Sequence, residues 1–424
     1  ATVQAESERQ RANIREWKRE YQRSKCLPES LVKRYAEATV KGKNAWAAAR
    51  EAGDYSGFAG PLQELIDLNR EQAQHWGGEG SDYDSLLDTY ERGANTAMID
   101  HVLGDLKKDL VPLVEEAVGR EKLDPSLLEG HYPQAKQEAF NREVAESMGF
   151  DFGSGRIDTT VHPFCSGMGP MDTRLTTRYD EKDFRSSLYG VLHEAGHGLY
   201  DQGLPDDDYG TPVGNAVSLG VHESQSRLWE NHIGRSRAFW EKWLPRAAEY
   251  FPHLGGLTVD QMYRAVNQAE RTFIRVEADE VTYDLHVILR YEIEKALFEE
   301  GLSVADLPDA WNAKYAELFG IAVDSDANGC LQDIHWSMGA FGYFPTYSLG
   351  NLNASHLFES ALSNDTSLKN DVESGDFSGV LAWMRERIHQ PGTVYAPDEL
   401  ITLAAGSPVS SAAHLKHLKN RYLN

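Results

Sequence analysis

Apolar positions along this chain recur mostly at three- and four-residue intervals, the spacing of a helix with one buried face. Ile14, Trp17 and Tyr21 mark such a face on a charged first helix. Leu62, Leu65, Ile66 and Asn69 repeat the spacing with three apolar members, and so do Leu103, Leu106, Leu110 and Val114, where Pro112 predicts a disturbance. The charged run from Arg9 to Arg23 reads as a solvated helix face. Between Gly153 and Tyr179 the period changes. Thr173, Leu175, Thr177 and Tyr179 alternate with Arg174, Thr176 and Arg178, which predicts a small β-sheet or hairpin. Leu204 to Pro212, with three consecutive aspartates, reads as a surface loop. Gly339 to Asn351, dense in glycine and aromatics, reads as an irregular patch. The expected class is mainly α; no repeat or linker is evident, and the length allows one large domain or two to three smaller ones.

The helix expected after the alternating stretch has Leu188, Val191, Leu192, Ala195 and Leu199 as its apolar face. Asp180 is its expected N-cap, with Asp183 in the first turn. It carries His193-Glu194-Ala195-Gly196-His197. Two histidines four apart lie on one helix face, so both imidazoles can reach one metal ion, and the glutamate between them can act as base toward a water there. A catalytic zinc takes three protein ligands and leaves a position open. The third is sought in Val221-His222-Glu223-Ser224-Gln225, among the apolar positions Leu219, Leu228, Trp229 and Ile233. Glu223 lies 26 residues after His197, enough chain for a loop and an antiparallel return. His222 is the alternative and would give a three-histidine site. Either way the motif points to a zinc-dependent hydrolase.

Composition narrows the partners rather than the chemistry. The formal net charge of −24 argues against nucleic acid or an anionic membrane, and 41% apolar with 25% charged residues is ordinary for a soluble globular protein. No apolar run is long enough to span a membrane, and the stretch Ala1 to Glu20 is too polar for a signal peptide. Cys26, Cys165 and Cys330 are odd in number and far apart, so no disulfide framework is expected and a reducing cytoplasm fits. A peptide hydrolase also needs donors for the oxyanion of its tetrahedral intermediate. Gly329 to Trp336 offers His335, and Tyr343 and Tyr347 follow.

The ordered motifs resemble those of the carboxypeptidase Taq family of zinc metallocarboxypeptidases. They are His162-Pro163-Phe164, Asp172-Thr173-Arg174-Leu175-Thr176, His193 to His197, His222-Glu223-Ser224-Gln225, and Gly329 to Trp336 ending Q-D-x-H-W. Tyr83 to Asp88, Ala278 to Tyr283 and Phe341 to Tyr347 are similar to that family as well. The resemblance implies a single large helical domain over residues 1–424, with a small sheet beside a deep active-site groove, as in neurolysin-like and angiotensin-converting-enzyme-like peptidases. It implies release of single residues from free peptide C-termini, with broad specificity and proline disfavoured. It implies zinc, replaceable by cobalt, and a homodimer. By position, His193, His197 and Glu223 are then the metal ligands and Glu194 the general base. His335 and Tyr347, or Tyr343 in place of the latter, stabilise the oxyanion. Arginine is the natural fork for a terminal carboxylate, and Arg174 and Arg290 are the candidates. A dipeptidyl carboxypeptidase, an oligoendopeptidase or an inactive peptide-binding scaffold are the competing expectations. The family's amino-terminal region with its W-D-x-x-T pattern is expected to be absent.

Overall fold

A computed structural model describes residues 5–160 and 163–424, so His162 of the first motif lies outside the described residues. The helical spacing is carried through on buried faces, and the chain is mainly α with one small sheet. It divides into two compact units. The first comprises Ala1–Ile14, Arg120–Gln268 and Leu349–Asn424, and the second Arg15–Gly119 and Ala269–Ser348.

In the first unit, strands β1 (Gly155–Thr159), β2 (Cys165–Gly169) and β3 (Asp172–Thr177) form the sheet in the order β1-β3-β2. β2 and β3 pair as an antiparallel hairpin, while β1 lies parallel to β3. The alternation in β3 turns Thr173, Leu175 and Thr177 inward and leaves Arg174 exposed. The strand stops at Thr177, short of Tyr179. The helix Phe184–Asp201 buries Leu188, Val191, Leu192, Ala195 and Leu199 completely, together with Phe140 and Val144 of the helix Gln134–Met148. Each of the leucine, valine and phenylalanine side chains contributes about 1.5–3 kcal/mol by leaving water. That anchoring fixes the rotation of the helix and so the direction in which its polar face points.

The second unit is built from helices including Glu29–Ala52, Ser56–Trp76, Asp82–Tyr90, Thr96–Val118, Glu280–Lys295 and Leu307–Phe319. Leu62, Leu65 and Ile66 are buried as their spacing predicts, and the buried Asn69 donates to the Leu65 carbonyl at 2.8 Å. Thr96–Val118 runs unbroken through Pro112. The hydrogen bond lost there is the one to Lys108, an exposed position, while Leu106, Leu110, Leu113 and Val114 stay buried and hold the helix. The first helix, Glu8–Lys25, departs from its expected face. Trp17 and Tyr21 are 49% and 61% exposed, and the inward positions are Ala12 and Glu16, the latter paired with Arg92. The patch at Gly339–Asn351 is irregular only in its first half. Gly339 and Gly342 take positive φ angles of 72° and 84°, and a helix starts at Pro345, where proline's fixed φ suits a first helical position.

Candidate active site

The motif helix begins one turn later than the aspartate spacing suggested. Asp183 is the N-cap, its Oδ1 accepting from the Arg185 amide at 2.9 Å, whereas Asp180 accepts from the Lys182 amide before the helix. His193 and His197 then project from one face. Opposite them stands Glu223 on the helix Leu219–Arg227, capped by Ser218. Two glycines make the approach possible. A Cβ on Gly196 would lie 2.6 Å from the Gln225 carbonyl oxygen, and one on Gly350 would lie 2.4 Å from Glu223 Cγ.

Glu223 Oε2 lies 3.6 Å from His193 Nε2 and 3.4 Å from His197 Nε2, and one ligand atom from each residue falls within 4.8 Å of the others. The outer ring nitrogens are already committed. His193 Nδ1 bonds Glu230 Oε2 at 2.9 Å. His197 Nδ1 reaches the His222 carbonyl at 3.1 Å and His222 Nδ1 at 2.6 Å, while His222 Nε2 meets Asp201 Oδ1 at 3.2 Å. The tautomers that satisfy these contacts put hydrogen on both outer nitrogens of the motif histidines. Their Nε2 atoms therefore face Glu223, and when both rings are neutral two nitrogen lone pairs and one carboxylate oxygen converge. That donor set fits a divalent cation. His222, committed to Asp201 and His197, stands behind the motif histidine.

Charge is distributed to match. Burial opposes ionisation of Glu223, but Arg227 (Nε to Oε1, 2.7 Å) and the two imidazoles outweigh it and hold the carboxyl well below its usual range. Burial likewise opposes the charge of Glu230, yet its bond to His193, with Arg227 and Arg235, brings it down to about 2. The His193 ring loses by burial but gains more from Glu223 and Glu230, reaching about 9, so a proton competes with a metal at this nitrogen. Burial lowers His197 to about 4. Glu194 is 7% exposed. Burial, reinforced by Glu223 and Glu230 against His193, raises it to about 7, the range suited to a proton carrier at neutral pH.

The second unit holds the other predicted residues except Arg174. His335 lies in the short 3-10 turn His335–Met338, and its Nε2 is 3.2 Å from the Tyr347 hydroxyl. Tyr343 makes only ring contacts with the pair, at 5.1 and 5.3 Å between centroids. Burial and the flanking guanidiniums, against Asp333, lower His335 to about 4 and keep it neutral. Arg290 is fully buried, with Nε 2.6 Å from Asp333 Oδ2 and Nη1 bonded to the His286 carbonyl. Arg174 is half exposed in the first unit and forms a two-point pair with Asp172 at 2.8 and 2.6 Å.

Three residues escaped the sequence reading. Arg227 and Glu230 follow Glu223 at four and seven residues, one helix face, and that spacing was the available signal. Arg275 bonds Asp333 Oδ1 at 2.8 Å and the Tyr283 hydroxyl at 2.7 Å, and lies 4.7 Å over the Tyr347 ring. Nothing local in the sequence marks it.

The chain is similar to known proteins along nearly its whole length. A family model described as carboxypeptidase Taq (M32) metallopeptidase matches residues 1–422. Thermostable carboxypeptidase 1 of Thermus thermophilus is 42% identical over 420 residues, covering 97% of this chain and 82% of that protein. Carboxypeptidase 1 of Bacillus subtilis is 39% identical over 409 residues, covering 96% and 82%. The crystal structure of the M32 carboxypeptidase from Deinococcus radiodurans R1 superposes with a TM-score of 0.97 at 36% identity, covering 99% of this chain and 85% of that one.

Proposed function

We propose that this chain, which belongs to the carboxypeptidase Taq (M32) metallopeptidase family and is a metallocarboxypeptidase, releases single residues from free peptide C-termini using zinc held by His193, His197 and Glu223. The observation that carries this reading is the convergence of three lone-pair donors whose outer nitrogens are already committed. Cobalt, with the same charge and a taste for the same ligands, is the expected substitute. A divalent cation held there supplies Lewis acidity toward the scissile carbonyl and toward water. Glu194, adjacent and poised near neutrality, takes the water's proton and returns it to the leaving amine. His335 and Tyr347 are assigned to the oxyanion, and Tyr347 is preferred to Tyr343 because only Tyr347 is hydrogen-bonded to His335. Of the two arginines, Arg174 has the solvent access to meet a carboxylate by exchanging Asp172, whereas Arg290 is enclosed with Asp333.

Broad side-chain specificity with proline disfavoured, and a homodimer, are part of the same family reading. Among the described residues no helix is long and apolar enough to cross a membrane, and all three cysteines are free, which suits a reducing compartment such as the cytoplasm. The test is an N-blocked peptide with a free C-terminus beside its C-terminally amidated twin, with products read by mass spectrometry. The proposal expects one-residue losses from the first and none from the second. Equal cleavage of both, or losses of two residues, rejects it. Glu194→Gln is expected to retain metal and lose about 10²–10⁴ in kcat.

A further inference from the structure

The helix Glu280–Lys295 carries a carboxylate that is completely enclosed and has no cationic hydrogen-bond partner. Glu294 Oε1 accepts from the Trp336 indole at 2.7 Å. Its Oε2 accepts from the Gly342 amide and from the Tyr83 hydroxyl, each at 2.7 Å. The two tethers other than Tyr83 are placed tellingly. Trp336 is the residue after His335, and Gly342, with φ 84°, is the turn from which the chain passes to Tyr343 and Tyr347. Phe344 sits between the two arms, 4.6 Å from the His335 ring and 6.3 Å from that of Trp336. One carboxylate thus fastens both segments whose side chains meet at the 3.2 Å contact of His335 and Tyr347.

We propose that Glu294 is a positioning residue that sets the His335–Tyr347 geometry by holding Trp336 and Gly342 on one carboxyl group. The inference rests on the assignment of His335 and Tyr347 to the oxyanion. The chemistry of the three donors explains why a carboxyl group is used rather than an amide. An ionised carboxylate accepts all three hydrogen bonds. A carboxylic acid keeps the bonds from Trp336 and Gly342 and reverses the third, with Oε2–H donating to the Tyr83 oxygen while Oε2 still accepts from Gly342. A glutamine cannot, because in either orientation its NH₂ faces the Trp336 N–H or the Gly342 N–H. Burial pushes Glu294 up to about 7, against its three donors and Arg290, and both protonation states keep the tether.

The test is a kinetic cycle on the metal-loaded enzyme with an N-blocked peptide, combining Glu294→Gln and Tyr347→Phe, with His335→Ala alongside. Tyr347→Phe is expected to lower kcat by about 10²-fold, as loss of an oxyanion donor does. Glu294→Gln is expected to lower kcat by at least about 10-fold with KM within about 3-fold, because misplacement penalises the transition state. In the Tyr347→Phe background it should cost clearly less than in the parent, because only His335 is then left for the tether to position. Losses that multiply in the double variant, or an unchanged kcat in Glu294→Gln when Tyr347→Phe is impaired, overturn the proposal as a merely structural role would. If Tyr347→Phe and His335→Ala both keep full kcat, the oxyanion assignment itself falls and the tether's role falls with it. Should Glu294→Gln not fold, Trp336→Phe, which removes one tether only, replaces it in the same cycle with the same two readings.

Discussion

Glu223 and Asp333 are two enclosed carboxylates, both held ionised, in surroundings of opposite kind. Asp333 is closed on both oxygens by guanidiniums, Arg275 on Oδ1 and Arg290 on Oδ2. Its charge is answered within the protein, and its pKa lies far below the usual range because the two arginines outweigh burial. Glu223 has one guanidinium on Oε1 and Ser226 on Oε2, and that second oxygen also faces two imidazole nitrogens offering lone pairs. Donors converging on a carboxylate complete it, whereas acceptors converging with it ask for a cation. The same functional group, a carboxylate, is structural in one place and a candidate ligand in the other.

The sharpest way to break this contrast is Asp333→Asn. It leaves Arg290, which is fully buried, beside a neutral partner, and such a loss costs about 3–5 kcal/mol. Chemical denaturation should show that loss, while metal affinity of the folded fraction stays unchanged. A variant as stable as the parent would mean that the pair is not structural. Glu230→Gln should act the other way round. It weakens the support of His193 without removing a ligand, so metal affinity should fall about 10–100-fold, read by competition with a chelating dye, with a smaller change in stability. Unchanged affinity would detach Glu230 from the site.

A third effect, of pH, separates both charged centres from Glu294. Its folded pKa of about 7 lies above the usual 4.5, so the folded state holds its proton more tightly. The stabilisation is complete below about 4.5 and is lost as pH rises toward 7. Subtracting the Glu294→Gln curve from the parent's should leave a decline of about 3 kcal/mol over that window. A flat difference would show that the group titrates normally.

The candidate ligands were legible because they sit in short motifs with helical spacing, and the structure brings the trio within reach of one ion. What surrounds them was legible only where spacing is local. Arg227 and Glu230 share a face with Glu223, but the chain from Leu228 to Gly234 winds more widely than an α-helix, which periodicity does not reveal. Arg275, Glu294 and the Asp333 pair come together through tertiary packing of segments distant in sequence. The helix cap moved from Asp180 to Asp183 because two aspartates three apart offer the same signal and only the backbone's path chooses between them. Trp17 and Tyr21 mark the limit of pattern reading, since an apolar stripe names a face and not what covers it.

The most direct test of the central claim is the zinc content of Glu223→Ala and Asp333→Asn beside the parent, after dialysis against buffered zinc. The account predicts about one ion per chain for the parent and for Asp333→Asn, and almost none for Glu223→Ala. Full zinc in Glu223→Ala, held with the parent's affinity, would contradict it.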